Sequence, residues 1–377
     1  MPRMRIGVNL AYLRPSAVGG SEVYVRALIG ELARNPDVVV TAYCWEFAAE
    51  ALRTLPGLSV RIVCKADFRQ VRRFVIENFK LAPMLTHDRV DVLFSPANYG
   101  APLLPVGIPQ VATIHDLQHE SHPGNFALTQ RLARAVFVRA TIQRCKRVIA
   151  ISEFTREDLL ERYRLRRDKV VTVHEGVDRL SPPTERERRR VRRDYGLTRG
   201  YLYYPASMAP HKNHSLLADV MKRLAVNGQS LDLVLTGART ETYVVFMEKV
   251  RREGLAGRVR HLGFVPREDV FCLMADAEAL VFPSEFEGFG LPLLEAMQCG
   301  TPVVAARRAS IPEVVGDAAI LLEPQDVGGW VNAIKRLLAD RAYRGGLVEK
   351  GYGNVLRFSW QRCAEETLAV FRDVARV

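Results

Sequence analysis

Short runs of apolar, often β-branched residues alternate with longer segments of helical periodicity along most of the chain. This alternation is typical of βαβ units, in which parallel strands are covered by helices on both faces of the sheet. Runs such as "ALVFP" and "PVVAA" are apolar at nearly every position, as expected for strands buried on both faces. The pattern predicts strands near residues 4–10, 38–43, 58–63, 90–95, 110–114, 147–151, 169–173, 201–205, 231–236, 258–262, 279–283, 302–305 and 319–322.

The alternation is interrupted at "VDRLSPPT" (177–184), where two prolines and polar neighbours are typical of an interdomain linker. It restarts with a basic segment, "ERERRRVRRDYG", which we expect to begin a helix. The sequence therefore predicts an α/β protein with two doubly wound, Rossmann-like domains, residues 1–178 and 179–357. Because ligands bind at the carboxyl ends of such strands, we expect the domains to face each other across a cleft. We expect residues 358–377 to form a helix that crosses back to the N-terminal domain.

Composition limits the class of protein. The chain has 377 residues, 48% of them hydrophobic and 25% charged, which is ordinary for a soluble protein of about two domains. No apolar run approaches the roughly 18 residues that a membrane-spanning helix needs, and the N-terminal apolar stretch is too short for a signal peptide. Six scattered cysteines without a CxxC motif favour reduced thiols in a cytosolic protein over disulfides or a zinc site.

The charge balance points to anionic partners. Lys and Arg total 54 against 42 acidic residues, a net charge of +12, which suits nucleotides, nucleic acid or an acidic membrane face. Two segments, "FRQVRRFVIENFKL" (68–81) and "RLARAVFVRATIQRCKRV" (131–148), are basic and partly amphipathic. They indicate either docking to an anionic membrane or ordinary surface helices with solvated arginines.

A glycine-containing loop follows the predicted strand 279–283, in "SEFEGFGLPLLEAMQCG". Pro292 suits a first helical turn and Gly300 a C-terminal cap, so we predict a helix over 291–299. Its N-terminus offers backbone N–H groups and a partial positive charge to an anion such as a diphosphate. Glu287 before the loop and Glu295 one turn inside the helix then suit sugar and ribose hydroxyls. The alternative is a capped helix with two solvent-exposed carboxylates.

The stretch "EGFGLPLLEAM" (287–297) resembles the E-x7-E signature of retaining glycosyltransferases of the GT-B fold, in family 4. "HDLQH" and "YPASMAPHKNH" most resemble mannosyltransferase-like members that act on bacterial surface polysaccharides. Other segments resemble the family in the same order: "GGSEVYVRALIGEL" (19–32), "IHDLQH" (114–119), "VIAISEFTREDL" (148–159), "HEGVD" (174–178), "YPASMAPHKNHSLL" (204–217), "LVLTG" and "HLGFVPREDV".

The resemblance implies a reaction and a set of partners. We expect transfer of a hexosyl unit from a nucleotide sugar, with GDP-mannose as the first expectation and a UDP-sugar or dTDP-rhamnose as alternatives. The acceptor is expected to be a glycan or a lipid-linked saccharide. We expect the protein in the cytoplasm, with peripheral contact at the inner face of the cytoplasmic membrane. No tightly bound cofactor and no metal are expected.

The resemblance also assigns residues. Lys212 is expected to pair with the donor diphosphate, Glu287 with hydroxyls of the donor sugar, and His115 with that sugar through its ring or backbone. These three are the predicted catalytic residues. The predicted donor-binding residues also include Gly19, Gly20, Ser207, Val265, Phe289, Gly290, Leu291 and Glu295.

The sequence departs from the family pattern just before this lysine. His211 stands where many members carry arginine, and an imidazole cannot make the bidentate guanidinium contact. Either another arginine, such as Arg307, supplies that contact or donor binding is more pH-dependent. His115, His119 and His122 also raise the question of a metal site, but Pro123 argues against the long helix that would align them.

Other classes of protein account for fewer features of this sequence. A nucleic-acid-binding protein would account for the charge, but no such signature is present. A dehydrogenase would carry GxGxxG after its first strand, and this chain has Gly19–Gly20 alone. A pyridoxal-phosphate phosphorylase would need a cofactor-binding lysine that the sequence does not identify. A nucleotide-sugar epimerase of similar two-domain fold stays open, and it would form product without an acceptor.

Overall fold

The computed structural model of the chain describes residues 3–13, 20–65, 70–105, 107–179 and 181–375. The chain forms two compact units. Unit 1 comprises Met1–Gly176 together with Phe358–Val377, and unit 2 comprises Val177–Arg357. The predicted linker 177–184 therefore begins at the unit boundary, and the C-terminal segment belongs to unit 1.

Unit 1 is built on a parallel sheet in the order β3-β2-β1-β4-β5-β6-β7. β1 lies between β2 and β4, with Ile6 level with Val40 on one side and Val92 on the other. The strands are β1 Met4–Asn9, β2 Val38–Trp45, β3 Ser59–Cys64, β4 Val92–Ser95, β5 Gln110–Ile114, β6 Arg147–Ala150 and β7 Val170–Thr172.

Helices connect these strands, and the C-terminal helix packs beside the first one. They are α1 Gly20–Arg34, α2 Glu46–Arg53, α3 Gln70–Val75, α4 Leu81–His87, α5 Gln118–Ser121, α6 Leu128–Arg144, α7 Glu153–Tyr163 and, at the C-terminus, α16 Trp360–Ala375.

Unit 2 repeats the architecture with a parallel sheet in the order β10-β9-β8-β11-β12-β13. Its strands are β8 Gly200–Pro205, β9 Leu231–Thr236, β10 Val259–His261, β11 Ala279–Phe282, β12 Val303–Ala306 and β13 Ala319–Leu322. Its helices are α8 Glu185–Asp194, α9 His214–Val226, α10 Thr242–Arg252, α11 Arg267–Ala275, α12 Leu291–Gln298, α13 Ile311–Val315, α14 Val327–Ala339 and α15 Arg341–Val355.

The predicted α/β class with two doubly wound sheets is confirmed. Each predicted strand is present, with ends that differ by one or two residues at most. The physical reason is burial: β4, β5, β9, β11 and β12 are buried along their whole length, so apolar side chains are required on both faces.

The two basic segments fold differently from each other. Residues 131–148 fall on α6 and the start of β6, whereas the described part of 68–81 is α3 followed by a π-helical segment, Ile76–Lys80. Asn78 stabilises that segment, because its Nδ2 donates to the Phe74 carbonyl at 2.9 Å and its Oδ1 accepts from Leu103 N–H at 2.7 Å. Across the described residues, the helices are all too short or too polar to cross a membrane.

Candidate functional site

The strand order of unit 2 reverses between β8 and β11, so the segments that follow these strands leave the sheet side by side. Parallel α/β sheets bind ligands at such a switch point, beyond the carboxyl ends of the strands. The segment after β8 contributes Lys212 and the segment after β11 contributes Glu287, with Lys212 Nζ 2.6 Å from Glu287 Oε1. The two side chains are only 17% and 12% exposed. The structure thus brings together two of the three predicted catalytic residues.

Backbone contacts fix the position of Lys212. Residues Pro210–Lys212 form a single 3-10 turn before α9. The buried Tyr204 hydroxyl donates to the carbonyl oxygen of Lys212 at 3.1 Å, and Glu285 N–H donates to the carbonyl oxygen of His211 at 2.8 Å. The lysine segment is therefore tied both to β8 and to the segment after β11, which reduces the ordering that a ligand would have to impose.

A buried serine fixes the backbone around Glu287. Ser310 is fully buried, and its Oγ lies 2.9 Å from the carbonyl oxygen of Glu287 and 3.0 Å from that of Phe289, so its proton is donated to this pair. Gly290, at the end of the loop, has a φ of 107°. A Cβ there would also lie 2.9 Å from Leu293 Cδ1, so both backbone and packing require glycine.

The start of α12 adds positive potential beside the ion pair. The helix begins at Leu291 directly after Gly290, and Pro292 occupies its first turn. The N-terminus of a helix carries partial positive charge and backbone donors suited to phosphate. Phe289 and Leu291 are buried at 2% and 9% exposed, so their side chains pack inward and their backbone is the part a ligand would meet.

Glu295 lies one turn inside α12 and is also mostly buried, at 13% exposed. Burial raises the pKa of its carboxyl, while the Arg267 guanidinium opposes that rise. Arg267 Nη2 lies 3.3 Å from Glu295 Oε1 and 2.9 Å from Asp178 Oδ2. The arginine holds Glu295 in place and shares its charge with a second carboxylate.

Ser207 lies on the segment after β8 that also holds Lys212, and Val265 lies on the segment after β10, at the same edge of the sheet. Ser207 follows β8, and Gly237, after β9, approaches so closely that a Cβ would lie 3.0 Å from Ser207 N. Gly237 N–H in turn donates to the carbonyl oxygen of Gly263, two residues before the half-buried Val265, at 2.8 Å. The segments after β8, β9 and β10 therefore converge where the sequence predicts nucleotide contacts.

In unit 1, His115 follows β5, and each of its polar atoms has a partner. Its N–H donates to Asn98 Oδ1 at 2.7 Å, and its Nε2 lies 3.0 Å from the carbonyl oxygen of Pro96. The Thr155 hydroxyl donates to its carbonyl oxygen at 3.4 Å, and its Nδ1 lies 3.5 Å from Glu175 Oε1.

These contacts set the direction in which the pKa of the His115 ring is shifted. Burial alone would lower the pKa of the imidazole, but the hydrogen bond and charge of Glu175 and the Pro96 carbonyl outweigh burial, and the pKa is raised. Tyr24 closes the remaining side, with its ring edge-on to the imidazole at a centroid distance of 4.9 Å. The contact of His115 with a donor sugar stays a prediction.

The other residues that the sequence singles out in unit 1 are Gly19, Gly20, His119 and His122. Gly19 lies outside the described residues. Gly20 is the exposed first residue of α1, and a Cβ there would meet no atom within 4 Å. His119 and His122 lie on and just after α5, a helix of four residues. The described residues contain no group of three His, Cys, Asp or Glu side chains arranged to hold a metal ion.

In each unit, sequence reasoning missed residues that hold the predicted side chains or their loops in position. Ser310 supports the Glu287 loop, Arg267 holds Glu295, and Glu175 pairs with His115. The family-like segments "HEGVD" and "HLGFVPREDV" contain Glu175 and Arg267, so a signal for these two was present in the sequence. Ser310 follows β12 without any pattern that marks it.

Comparison with known protein families identifies the family to which this chain belongs. Residues 18–179 match the family described as Glycosyltransferase Family 4, and residues 186–353 match Glycosyl transferases group 1. The chain is a family 4 glycosyltransferase. The family predicted from the E-x7-E stretch is thereby confirmed.

Named relatives fit this assignment. The chain is 31% identical over 265 residues to O-antigen chain mannosyltransferase B of Escherichia coli, covering 70% of each chain. It is 27% identical over 336 residues to O-antigen chain mannosyltransferase RfbU of Salmonella typhimurium, covering 88% of this chain and 90% of the relative.

Solved structures share the fold of this glycosyltransferase. Alr3699/HepE of Anabaena, solved in complex with UDP-glucose, aligns with a TM-score of 0.78 at 20% identity, covering 98% of this chain and 100% of that one. WaaG, a glycosyltransferase involved in lipopolysaccharide biosynthesis, aligns with a TM-score of 0.73 at 17% identity, covering 97% and 99%. These matches confirm the predicted GT-B fold.

Proposed function

We propose that this glycosyltransferase moves a mannosyl unit from GDP-mannose to a glycan or lipid-linked glycan acceptor during surface-polysaccharide synthesis, with retention of anomeric configuration. The observation that carries the proposal is the Lys212–Glu287 pair at the switch point of unit 2, beside the N-terminus of α12. The relatives named as O-antigen chain mannosyltransferases support the sugar and the pathway class. The fold neighbour solved with UDP-glucose supports a nucleotide-sugar donor.

In the proposed reaction, the bond between the anomeric carbon and the diphosphate oxygen breaks while the acceptor oxygen bonds to that carbon from the same face. The acceptor proton passes to the departing diphosphate, so the products are a glycoside and a protonated nucleoside diphosphate. Lys212 and the start of α12 offset the negative charge that develops on the leaving group. Glu287 and Glu295 accept hydrogen bonds from hydroxyls of the sugar and the ribose.

This scheme assigns no covalent role to Glu287. Because the diphosphate itself takes the proton, the reaction does not require two carboxylates at glycosidase spacing. We propose that no tightly bound cofactor or metal takes part, since in this reaction Lys212 and the N-terminus of α12 offset the charge of the leaving group. We also propose a cytoplasmic protein that works at the inner face of the cytoplasmic membrane.

The test is nucleotide release from GDP-mannose, UDP-glucose, UDP-galactose and dTDP-rhamnose without acceptor, in wild type, Lys212→Ala and Glu287→Ala. We expect slow release from GDP-mannose that both variants lose. Release from another donor would correct the sugar and leave the site intact. If no donor is hydrolysed, binding of the same donors is measured, and absence of all binding would contradict the proposal. Conversion of a donor to its epimer without transfer would favour the epimerase alternative.

A further inference from the structure

Unit 1 has a switch point of its own, between β1 and β4, where the strand order of its sheet reverses. The segments after these two strands leave the sheet side by side, and the Tyr12 hydroxyl donates to the carbonyl oxygen of Pro96 across them at 3.4 Å. Parallel α/β sheets bind ligands at such a point. Glycosyl transfer needs a second substrate besides the donor, so this position is a candidate site for the acceptor.

A charged pair that the proposed reaction does not use is buried at this switch point. Asn9, the last residue of β1, donates from its Nδ2 to Glu77 Oε1 at 3.2 Å, and Arg73 Nε lies 3.1 Å from the same oxygen. The side chains of Arg73 and Glu77 are 13% and 5% exposed. The Arg73 guanidinium also lies 5.6 Å from the ring centre of Tyr12 and 5.7 Å from that of Tyr99. Charged, amide and aromatic groups thus converge beyond β1 and β4.

The π-helical segment Ile76–Lys80 sets the position of Glu77. Such segments are rare in proteins and are frequently found at functional sites. Asn78 ties this one on both sides, through the Phe74 carbonyl and the Leu103 N–H. The carboxylate of Glu77 is therefore ordered before any ligand binds, which lowers the entropic cost of recognition.

Two polar atoms in this region are buried and make no hydrogen bond within the described parts of the chain: Arg73 Nε and Glu22 Oε2. Arg73 Nε lies close to Glu77, but its N–H is not directed at that carboxylate. Glu22 lies in the first turn of α1. Burial raises the pKa of the Tyr12 hydroxyl, which Arg73 opposes. The charges of Glu77 and Glu22 add to the rise, so both carboxylates lie near Tyr12.

The charge balance of this region indicates which kind of group it binds. We define the unit 1 polar cluster as Tyr12, Glu22, Arg73, Glu77 and Tyr99. One guanidinium stands against two carboxylates, so a phosphate or a uronate would meet a surplus of like charge, which disfavours binding. A hydroxyl group both donates and accepts, which suits the unpaired donor and the unpaired acceptor. The two half-buried tyrosine rings suit the C–H face of a sugar.

We propose that the unit 1 polar cluster selects the acceptor: it binds a neutral sugar through its hydroxyls and rejects a phosphorylated sugar or a uronate. Arg73 donates to a hydroxyl, and Glu22 and Glu77 accept from hydroxyls. These residues determine specificity and take no part in proton transfer. The assignment rests on the proposed function, because it gives unit 1 the acceptor of that reaction.

The experiment measures binding of four sugar probes to the full chain by ligand-detected NMR. Methyl α-mannoside and methyl α-rhamnoside are neutral, whereas mannose 6-phosphate and methyl β-glucuronide are anionic. The same titrations with Glu287→Ala report any binding of these sugars at the donor site instead. Nucleotide release from GDP-mannose without acceptor is a separate readout: its failure counts against the proposed function, whereas failure of sugar binding counts against the cluster.

The main variant is Arg73→Met/Glu77→Gln, which removes the charged pair, keeps its approximate shape and leaves neither partner of the pair as an unpaired charge. Its matched control is Glu31→Gln/Arg34→Met, which removes an exposed ion pair on α1 in the same unit. Thermal unfolding verifies that both variants fold. We expect wild type to bind the neutral probes at least about fivefold more tightly than the anionic ones. The main variant should weaken neutral binding at least about tenfold, and the control should not change it.

A second variant distinguishes recognition from a structural role. Glu22→Gln/Glu77→Gln leaves the Arg73 guanidinium without an opposing carboxylate in the cluster. We expect it to bind mannose 6-phosphate at least about fivefold more tightly than wild type, because the phosphate no longer meets like charge. A residue pair that only supports the fold would give no such gain.

Three results would overturn the proposal. The first is equal binding of neutral and anionic probes by wild type, and the second is absence of binding for all four probes. The third is neutral-sugar binding that Glu287→Ala abolishes and Arg73→Met/Glu77→Gln retains, which would place the sugar in unit 2.

Discussion

Each unit holds a basic side chain paired with a carboxylate just beyond the carboxyl ends of its strands, and the two pairs differ in how they are held. In unit 2, Lys212 Nζ contacts Glu287 at the end of a flexible side chain, on segments whose backbones are fixed. In unit 1, the His115 ring is held by Glu175 on one nitrogen and the Pro96 carbonyl on the other.

We interpret this difference as that between the proposed ligand site and a structural contact. The lysine can exchange Glu287 for a phosphate without moving the backbone, because its tether has four rotatable bonds. The His115 ring cannot meet a ligand through either nitrogen without losing a buried hydrogen bond, and such a loss costs about 1–3 kcal/mol. We therefore infer that the unit 2 pair serves the chemistry and that the unit 1 pair mainly orders the segments after β4 and β5.

The largest expected effect is on the unit 2 pair. In the proposed reaction Lys212 faces the leaving diphosphate, so Lys212→Ala should lower kcat for transfer about 10²–10³-fold, as loss of a transition-state donor does elsewhere. The assay is product formation at saturating donor. The matched control is Lys222→Ala, which breaks an exposed ion pair with Glu253 in the same unit. Equal losses in the two variants would refute a specific role for Lys212.

The next largest effect is expected at Gly290, in the loop between Glu287 and α12. Gly290→Ala places a side chain at φ 107° and against Leu293, so unit 2 should lose about 1–3 kcal/mol of unfolding free energy. Urea unfolding with and without nucleoside diphosphate measures the loss. Gly257→Ala is the control, because a Cβ at that position has open space. A stable Gly290→Ala chain with normal donor affinity would show that the loop conformation is dispensable.

The His115–Glu175 pair should make the unfolding free energy of unit 1 depend on pH. The folded-state pKa of His115 is raised, so its pairing with Glu175 stabilises unit 1 fully below the unfolded value of about 6.5 and less as pH rises through the folded value. Glu175→Gln should cost about 1–3 kcal/mol at acidic pH and progressively less at alkaline pH. Unfolding midpoints of wild type and variant from pH 6 to 9 measure this difference. A difference that does not change with pH would contradict this structural contact.

The smallest effect is expected at Glu295. Glu295→Gln keeps the shape of the side chain but weakens its hydrogen bonds to a ribose, which should raise KM for the donor about three- to tenfold with kcat nearly unchanged. Asp178→Asn is the control, because it alters the other partner of Arg267 and leaves Glu295 intact. If both variants raise KM equally, the arginine rather than Glu295 holds the donor.

The sequence predicted the strands of unit 2 fully, but it predicted only part of the candidate site in that unit. Buried parallel strands require long apolar runs, so β9 and β11 could be read directly from their residues. The segments around Lys212 and Glu287 could be singled out from the sequence, because glycine and proline at fixed positions indicate the loop and the helix start near Glu287. Their contact across 75 residues could not be predicted from local pattern.

Other features depend on tertiary packing. Ser310 acts through two carbonyl oxygens on another segment, and a single serine after a strand has no distinguishing signal. The π-helical segment at 76–80 divides what looked like one amphipathic stretch, because the side chain of Asn78 bonds to backbone groups that lie outside that segment. The N-terminal half of α6 contains the mixture of apolar and basic residues that is also found in helices with one buried face. Its exposure therefore could not be predicted from the sequence and is seen only in the fold.

The most direct test of the contrast between the two pairs measures nucleotide binding and unfolding together in Lys212→Ala and Glu175→Gln. Calorimetry gives the affinity for GDP, UDP and dTDP, and urea unfolding at pH 6 gives the stability. We predict that Lys212→Ala binds the preferred nucleotide at least about tenfold more weakly with little change in stability, and that Glu175→Gln does the reverse. Loss of nucleotide affinity in Glu175→Gln with unchanged binding by Lys212→Ala would contradict the assignment of the ligand site to unit 2.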